Sequence, residues 1–241
     1  MGKIRLYSDK NLRISSLLRI EDDNFHYIKN VMRLKKNDHF TIFNAKDGEF
    51  VCNIIEVNKK DIKIQIESQL RSPNDENIND TELIFTPIRH QRQDFLIEKT
   101  TELGIKTLSP IITKNTAIKD INIERAKIIA KEATEQSQRL SVPEISPLTT
   151  FIEKISNFDF KNRTLIYLDE RQNISQNTVD TLKKYKDKPI SFLIGPEGGF
   201  DETEFEILSK TNSIGITLGK LILRAETAGI SIISLYNIGI R

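Results

Sequence analysis

Apolar and polar positions alternate most plainly at the start of the chain. In "IKIQIES" Ile62, Ile64 and Ile66 alternate with Lys63, Gln65 and Glu67. That period of two predicts a strand with one buried and one wet face. Just before it, "HFTIFNAKDGEFVCNIIEV" reads as two apolar runs joined through Asp47-Gly48, a strong hairpin signal. Several short antiparallel strands in about seventy residues predict a small barrel. The Pro-, Asn- and Asp-rich stretch from Arg71 to Thr81 reads as a linker, which places one domain at 1–71 and a second at 76–241.

Beyond the linker the period changes. "ELIFTPI", "TLSPIIT", "TLIYLDE", "ISFLIG" and "SIGITLG" are continuous apolar runs, and helical stretches separate them. The helix "RQDFLIEKTTELG" ends at Gly104. In "IERAKIIAKEATEQSQRL" Ala126, Ile129, Ala130, Ala133, Ser137 and Leu140 recur at helical spacing, which predicts one helix through Leu140. Strands without polar alternation between helices predict a mainly parallel α/β sheet covered on both faces. The last helix, Glu226 to about Ile240, is apolar nearly all round and must be buried, in its own domain or against another subunit.

Composition narrows the class. With 38% hydrophobic and 29% charged residues in 241, the chain is expected to be a soluble, cytoplasmic globular protein. Thirty-six Lys and Arg against 34 Asp and Glu give a net charge of +2, which neither demands nor excludes a nucleic-acid partner. The single cysteine, Cys52, excludes an intrachain disulfide, and the three scattered histidines lack ligand spacing, so no metal site is expected. The N-terminus has no signal-peptide core, and no apolar stretch is long enough for a membrane span.

Four stretches could carry chemistry. In "LIGPEGGF" a strand stops at Ile194 and Gly195, Gly198 and Gly199 follow, so a ligand could touch bare backbone at the end of a strand. The spacing fits an unliganded turn equally well, and it is no phosphate-binding fingerprint. Asp201 and Glu204 then have the spacing of a capping box. In "ITLGKLILRAETAG" Leu218, Leu221, Ile222 and Leu223 could form an apolar wall before Arg224, although core leucines and a surface cation would look the same. Glu132, Gln136 and Arg139 share a helix face, which a solvated face also explains. "RHQRQ" is a short basic cluster and a candidate phosphate contact.

Taken in order, these stretches resemble the bacterial RsmE-type methyltransferases over nearly the whole chain. The resemblance rests on His26, Val31, Arg33 and Asp38; on Lys99, Glu102, Leu103, Gly104 and Pro110; on Glu132, Ala133, Gln136, Ser137, Arg139 and Pro143; on "LIGPEGGF"; and on "LGKLILRAETA". The chain departs from the family pattern at Asn37 and Gln138, where glycine is usual, at Lys220-Leu221, where Pro-Arg is common, and at Ala225, where threonine is usual.

The resemblance implies an N-terminal PUA-like, RNA-binding β-barrel and a C-terminal SPOUT α/β domain with a trefoil knot. It also implies a homodimer that uses S-adenosylmethionine to methylate N3 of a uridine in small-subunit (16S) ribosomal RNA, in an assembled or nearly assembled subunit. The cofactor would be held by Leu168, Gly195, Pro196, Glu197, Gly198, Gly199, Leu218, Gly219, Ile222 and Leu223. Arg224, with Glu226 and Thr227, would serve catalysis, and Glu197 is one possible base. Arg33, Lys35, Lys36, Arg89, Arg92 and Arg139 would contact RNA. Two other functions share the scaffold: a catalytically idle RNA-binding or assembly protein, and a methyltransferase for another RNA.

Overall fold

Two short extended runs, Arg5–Tyr7 (β1) and Leu17–Ile20 (β2), begin the computed structural model, which describes residues 4–171 and 178–239. They are followed by a one-turn helix, Asp22–His26 (α1), and a π-helical turn, Tyr27–Val31. The predicted hairpin forms between His39–Asn44 (β3) and Gly48–Val57 (β4), and the alternating run becomes Ile62–Arg71 (β5). Gly48 turns the hairpin at φ +100, a region that costs glycine nothing. The sheet order is β1-β3-β4-β5-β2, antiparallel except for β1 against β3. The sheet curls over Leu6, Phe40, Cys52, Ile62, Ile64 and Ile66, all buried, while Lys63, Gln65 and Glu67 face outward as the alternation requires. Burial pushes the Cys52 thiol up to about 12, so it packs as a small apolar group.

The chain forms two compact units, and the first is not one continuous stretch. It comprises 1–77 together with Thr134–Ser141, whereas the second comprises 78–133 and 142–241. A cut at a single linker cannot express this. The reason is local: Arg5 donates to the carbonyls of Thr134 (3.3 Å), Glu135 (2.8 Å) and Arg139 (2.9 Å), and Glu76 accepts the N–H groups of Leu140 and Ser141. The buried carboxylate of Glu49 neutralises Arg5 at 2.8 Å, and Arg71 adds a bond to the carbonyl of Gln138.

The second unit alternates strand and helix: Thr81–Phe85 (β6), His90–Glu102 (α2), Thr107–Ile112 (β7) and Ile123–Gln136 (α3). Then come Glu144–Ile145 (β8), Thr149–Thr150 (β9), Phe151–Ser156 (α4), Thr164–Leu168 (β10) and Thr178–Lys183 (α5). Ile190–Ile194 (β11), Glu202–Lys210 (α6), Ser213–Ile216 (β12) and Ala225–Asn237 (α7) complete it. Every pairing is parallel, in the order β12-β10-β11-β6-β7-β8, with β9 beside β7. Both faces are buried. Leu83, Phe85, Phe192 and Ile194 pack under α2 and α7, and the intervening Ile84 and Leu193 pack under α4 and α6. Thus α6 crosses from β11 to the edge on one face, and α7 returns on the other.

Two expectations about α3 and α7 need correction. α3 ends at Gln136 and not at Leu140, because Gln138 adopts φ +63, where a right-handed helix cannot continue. Arg139 therefore does not share a face with Glu132 and Gln136. Those two are exposed, and Arg139 is buried in the first unit. α7 ends at Asn237, and Ile240, where the helix was expected to stop, lies outside the described residues. Among the described residues no helix is long and apolar enough to cross a membrane, and no cluster of His, Cys, Asp or Glu could hold a metal ion.

Candidate active site

Because β10, β11 and β12 run in the same direction, the loops at their carboxyl ends meet at one edge of the sheet. They enclose a cleft of about 690 Å³. Leu168, Asp169, Glu170 and Arg171 enter it after β10, Gly195 through Gly199 after β11, and Leu218, Leu221, Ile222, Leu223 and Arg224 after β12. Arg89 and Arg92, at the start of α2, complete the wall. Thirteen of the residues proposed from sequence therefore share one cavity, although they span 136 positions (89 to 224) of the chain.

The glycine turn is held from behind. Asn115 Nδ2 donates to the carbonyls of Gly198 (3.3 Å) and Gly199 (3.1 Å), and the Gly199 N–H closes a turn on the Pro196 carbonyl at 2.9 Å. Gly199 sits at φ +70 with open space where a Cβ would point, so the backbone faces the cleft without a side chain. The expected capping box at the start of α6 is present. Asp201 accepts the Thr203 N–H, and Glu204 accepts the Asp201 N–H at 2.8 Å. Thr203 and then Lys114, at 2.9 Å, hold the Asp201 carboxyl down at about 2.

The β10 loop has its own fastening. The Asp169 N–H donates to Ile216, and its carboxylate accepts from the Arg171 backbone (2.9 Å) and Nε (3.1 Å). The Arg171 guanidinium lies 3.2 Å from the centroid of the Phe205 ring, a cation–π contact. On the β12 side the loop is open: Leu221 and Ile222 are 81% and 79% exposed. Large apolar residues exposed in a cleft wall mark a surface meant to be covered.

The arginines of the cleft divide into two kinds. Arg89 and Arg224 are exposed and make no side-chain hydrogen bond or ion pair among the described residues. Arg92 is committed, to Glu197 at 2.8 Å and to Glu226 at 3.6 Å. Glu226 is buried in the first turn of α7, and its Oε2 has no hydrogen-bond partner. Thr227 is exposed beside it. Glu226, Thr227 and Gly219 stand next to the cleft in sequence but do not line it.

The remaining candidates lie in the first unit. Arg33, Lys35 and Lys36 are exposed on a tight turn in which Arg33 and Asn37 have positive φ (56 and 73). The carboxylate of Asp38 accepts the Lys35 N–H at 2.7 Å. The two departures from family glycine, Asn37 and Gln138, thus both fall where the backbone is left-handed, the conformation for which glycine is the easy choice. Burial lowers the Arg139 guanidinium to about 10, against the pull of Glu76, and its side chain donates to Ser141 at 3.3 Å. A buried guanidinium does not present itself to an RNA backbone, so Arg139 is corrected from an RNA contact to a packing residue of the first unit.

Sequence reasoning did not single out Asn115, Lys114, Arg171 or Phe205. Asp169, the acid that ends an apolar strand in "IYLDE", carried a visible signal. Asn115 and Lys114 carried none, since "KNT" after a strand is ordinary turn composition.

A family model described as an RNA methyltransferase domain matches residues 75–237, and one described as an RNA methyltransferase PUA domain matches 20–67. The ribosomal RNA small subunit methyltransferase E of Rickettsia conorii is 33% identical over 232 residues, 95% of this chain and 93% of that protein. Its namesake from Bacillus subtilis is 27% identical, covering 87% of this chain and 85% of its own. Among solved structures, ribosomal RNA small subunit methyltransferase E from Neisseria gonorrhoeae, bound to S-adenosyl methionine, superposes with a TM-score of 0.84 at 24% identity, over 97% of this chain and 96% of that one. These likenesses span both units, and the chain belongs to the ribosomal RNA small subunit methyltransferase E family.

Proposed function

We propose that the protein transfers a methyl group from S-adenosylmethionine to N3 of a uridine in small-subunit ribosomal RNA, acting in the cytoplasm as a homodimer. The observation that carries this reading is the meeting of the "GPEGG" and "LGKLILRAET" loops, with two uncommitted arginines, in one cleft of about 690 Å³. That volume lies within the ~300–1,000 Å³ typical of small-molecule sites.

The residues present suit this cofactor. Leu168, Leu218, Ile222 and Leu223 offer an apolar wall for a flat ring, and the bare backbone of Gly198 and Gly199 offers hydrogen-bonding groups at close range. When bound, S-adenosylmethionine supplies a methyl group on a positively charged sulfur. The chain's part is to align that methyl with the base and to stabilise the charge that develops. As the imide N3 loses its proton, negative charge spreads to the flanking carbonyl oxygens of the uracil. Arg224, uncommitted at the N-cap of α7, is the group to meet it. Covering Leu221 and Ile222 would exclude water. Arg33, Lys35 and Lys36 supply affinity for phosphate without sequence readout.

The test is transfer of labelled methyl to small-subunit RNA, or to subunits from cells lacking the enzyme, followed by nucleoside mass spectrometry. N3-methyluridine supports the reading. Cofactor and RNA binding without transfer would favour the idle scaffold, and a different methylated nucleoside would move the target.

A further inference from the structure

Arg89, Arg92 and Arg224 all reach the cleft, but only Arg92 already has its charge balanced within the protein. Its Nη1 is 2.8 Å from Glu197 Oε1, on the glycine turn, and its Nε is 3.6 Å from Glu226 Oε1, in the first turn of α7. Glu226 is buried, and Arg92 is the cation that reaches it. The other Glu226 oxygen is buried without a hydrogen-bond partner, so drawing Arg92 away would leave a carboxylate with no counter-charge. A phosphate arriving at the cleft meets Arg89 and Arg224 at no such cost. The planar guanidinium also suits the task, since one rigid fork can serve two carboxylates, which a lysine ammonium cannot do with the same geometry.

We propose that Arg92 is a positioning residue and not an RNA contact: it ties the Pro196–Gly199 turn to the start of α7. This rests on the reading that the glycine turn receives S-adenosylmethionine. Three elements converge on Arg92: the first turn of α2, which carries it, the turn after β11, and α7, which carries Arg224 at its N-cap and Thr227 in its first turn. Arg92 thereby sets the distance between the loop that receives the methyl donor and the helix that presents the charge-stabilising group.

The experiment compares the native protein with Arg92→Ala, Arg92→Lys, Glu197→Gln and Arg92→Ala/Glu197→Gln. It measures calorimetric affinity for S-adenosylmethionine and the kcat and KM for small-subunit RNA at two salt concentrations. Arg92→Ala should weaken cofactor binding by about tenfold and lower kcat, with the RNA KM and its salt dependence within about twofold of native. Arg92→Lys should not restore either loss. Glu197→Gln, on a residue 61% exposed at its side chain, leaves the core intact and should reproduce part of the effect, with the double variant no worse than Arg92→Ala. A raised RNA KM with a flatter salt dependence and native cofactor affinity would make Arg92 a phosphate ligand and overturn the proposal. Native behaviour of Arg92→Ala in every measurement would overturn it as well. Failure of the native protein to bind the cofactor is a different result, which removes the underlying reading itself.

Discussion

The side-chain amide of Asn115 donates to the carbonyl of Gly199 at 3.1 Å, so the turn after β7 holds the turn after β11 in place. The glycine loop is thus a braced surface and not a free flap. A Cβ on Gly198 would lie 3.4 Å from the Asn115 Cβ, at the near limit of ordinary contact, so a branched side chain there crowds the brace. Gly198→Val should displace the loop from its brace and abolish measurable binding of S-adenosylmethionine in calorimetry, while leaving the thermal midpoint within a few degrees of native. Native affinity in this variant would take the cofactor away from the loop.

The Arg224 side chain makes no hydrogen bond or ion pair among the described residues, and in the proposed reading it meets the negative charge that develops on the uracil. Arg224→Ala should keep its cofactor affinity and lose about 10²- to 10³-fold in kcat, the usual cost of removing one charge-stabilising donor. Turnover at the native rate would remove Arg224 from the mechanism.

Arg5 and Glu49 form a buried pair, with side chains 8% and 7% exposed, and the Arg5 ring contact with Phe43 is 4.1 Å. Arg5→Met leaves Glu49 buried with only Arg71 near it, and the end of α3 loses the donor to its last carbonyls. We expect a loss of about 3–5 kcal/mol in urea unfolding. A loss below 1 kcal/mol would mean that the Thr134–Ser141 segment is held without Arg5, by Glu76, Arg71 and its apolar contacts.

Glu82 lies inside the parallel sheet, bonded to Ser109, Ser191 and Lys154. Burial raises its carboxyl, but the Lys154 charge and the hydrogen bonds together outweigh burial and hold it below the usual carboxylate value. A depressed folded value means that the stabilisation is fully present above the unfolded value of 4.5 and is lost as the pH falls through the lower folded value. Glu82→Gln should therefore lose stability at pH 7 and show a shallower decline of the urea midpoint below about pH 4.5. An unchanged acid limb would show that other carboxylates dominate it.

The legibility of this chain in its sequence was uneven, and for physical reasons. Period-two alternation at Ile62, Ile64 and Ile66 and the Asp47-Gly48 turn are local signals, and both appear where they were expected. The unbroken apolar strands implied a sheet covered on both faces, since a strand with no polar side has no solvent to face. The capping box at Asp201 was legible because it is complete within four residues. The helix that was predicted to run to Leu140 failed at Gln138. A positive φ in a residue other than glycine leaves no compositional trace, and apolar spacing continued past it.

By itself, then, the sequence determined the strands, the turns, the helix caps and the motifs that mark the family, because each depends on residues close together along the chain. The tertiary structure alone decided which candidates share a site. Residues 89 and 224 meet only because three parallel strands end at one edge and α7 comes back across β10. It also decided the state of each arginine. Arg139 is buried, Arg92 is spoken for by two carboxylates, and Arg89 and Arg224 stand free among the described residues. A guanidinium is charged wherever it sits, and only the groups that the fold brings within about 4 Å determine whether that charge is left over for a ligand.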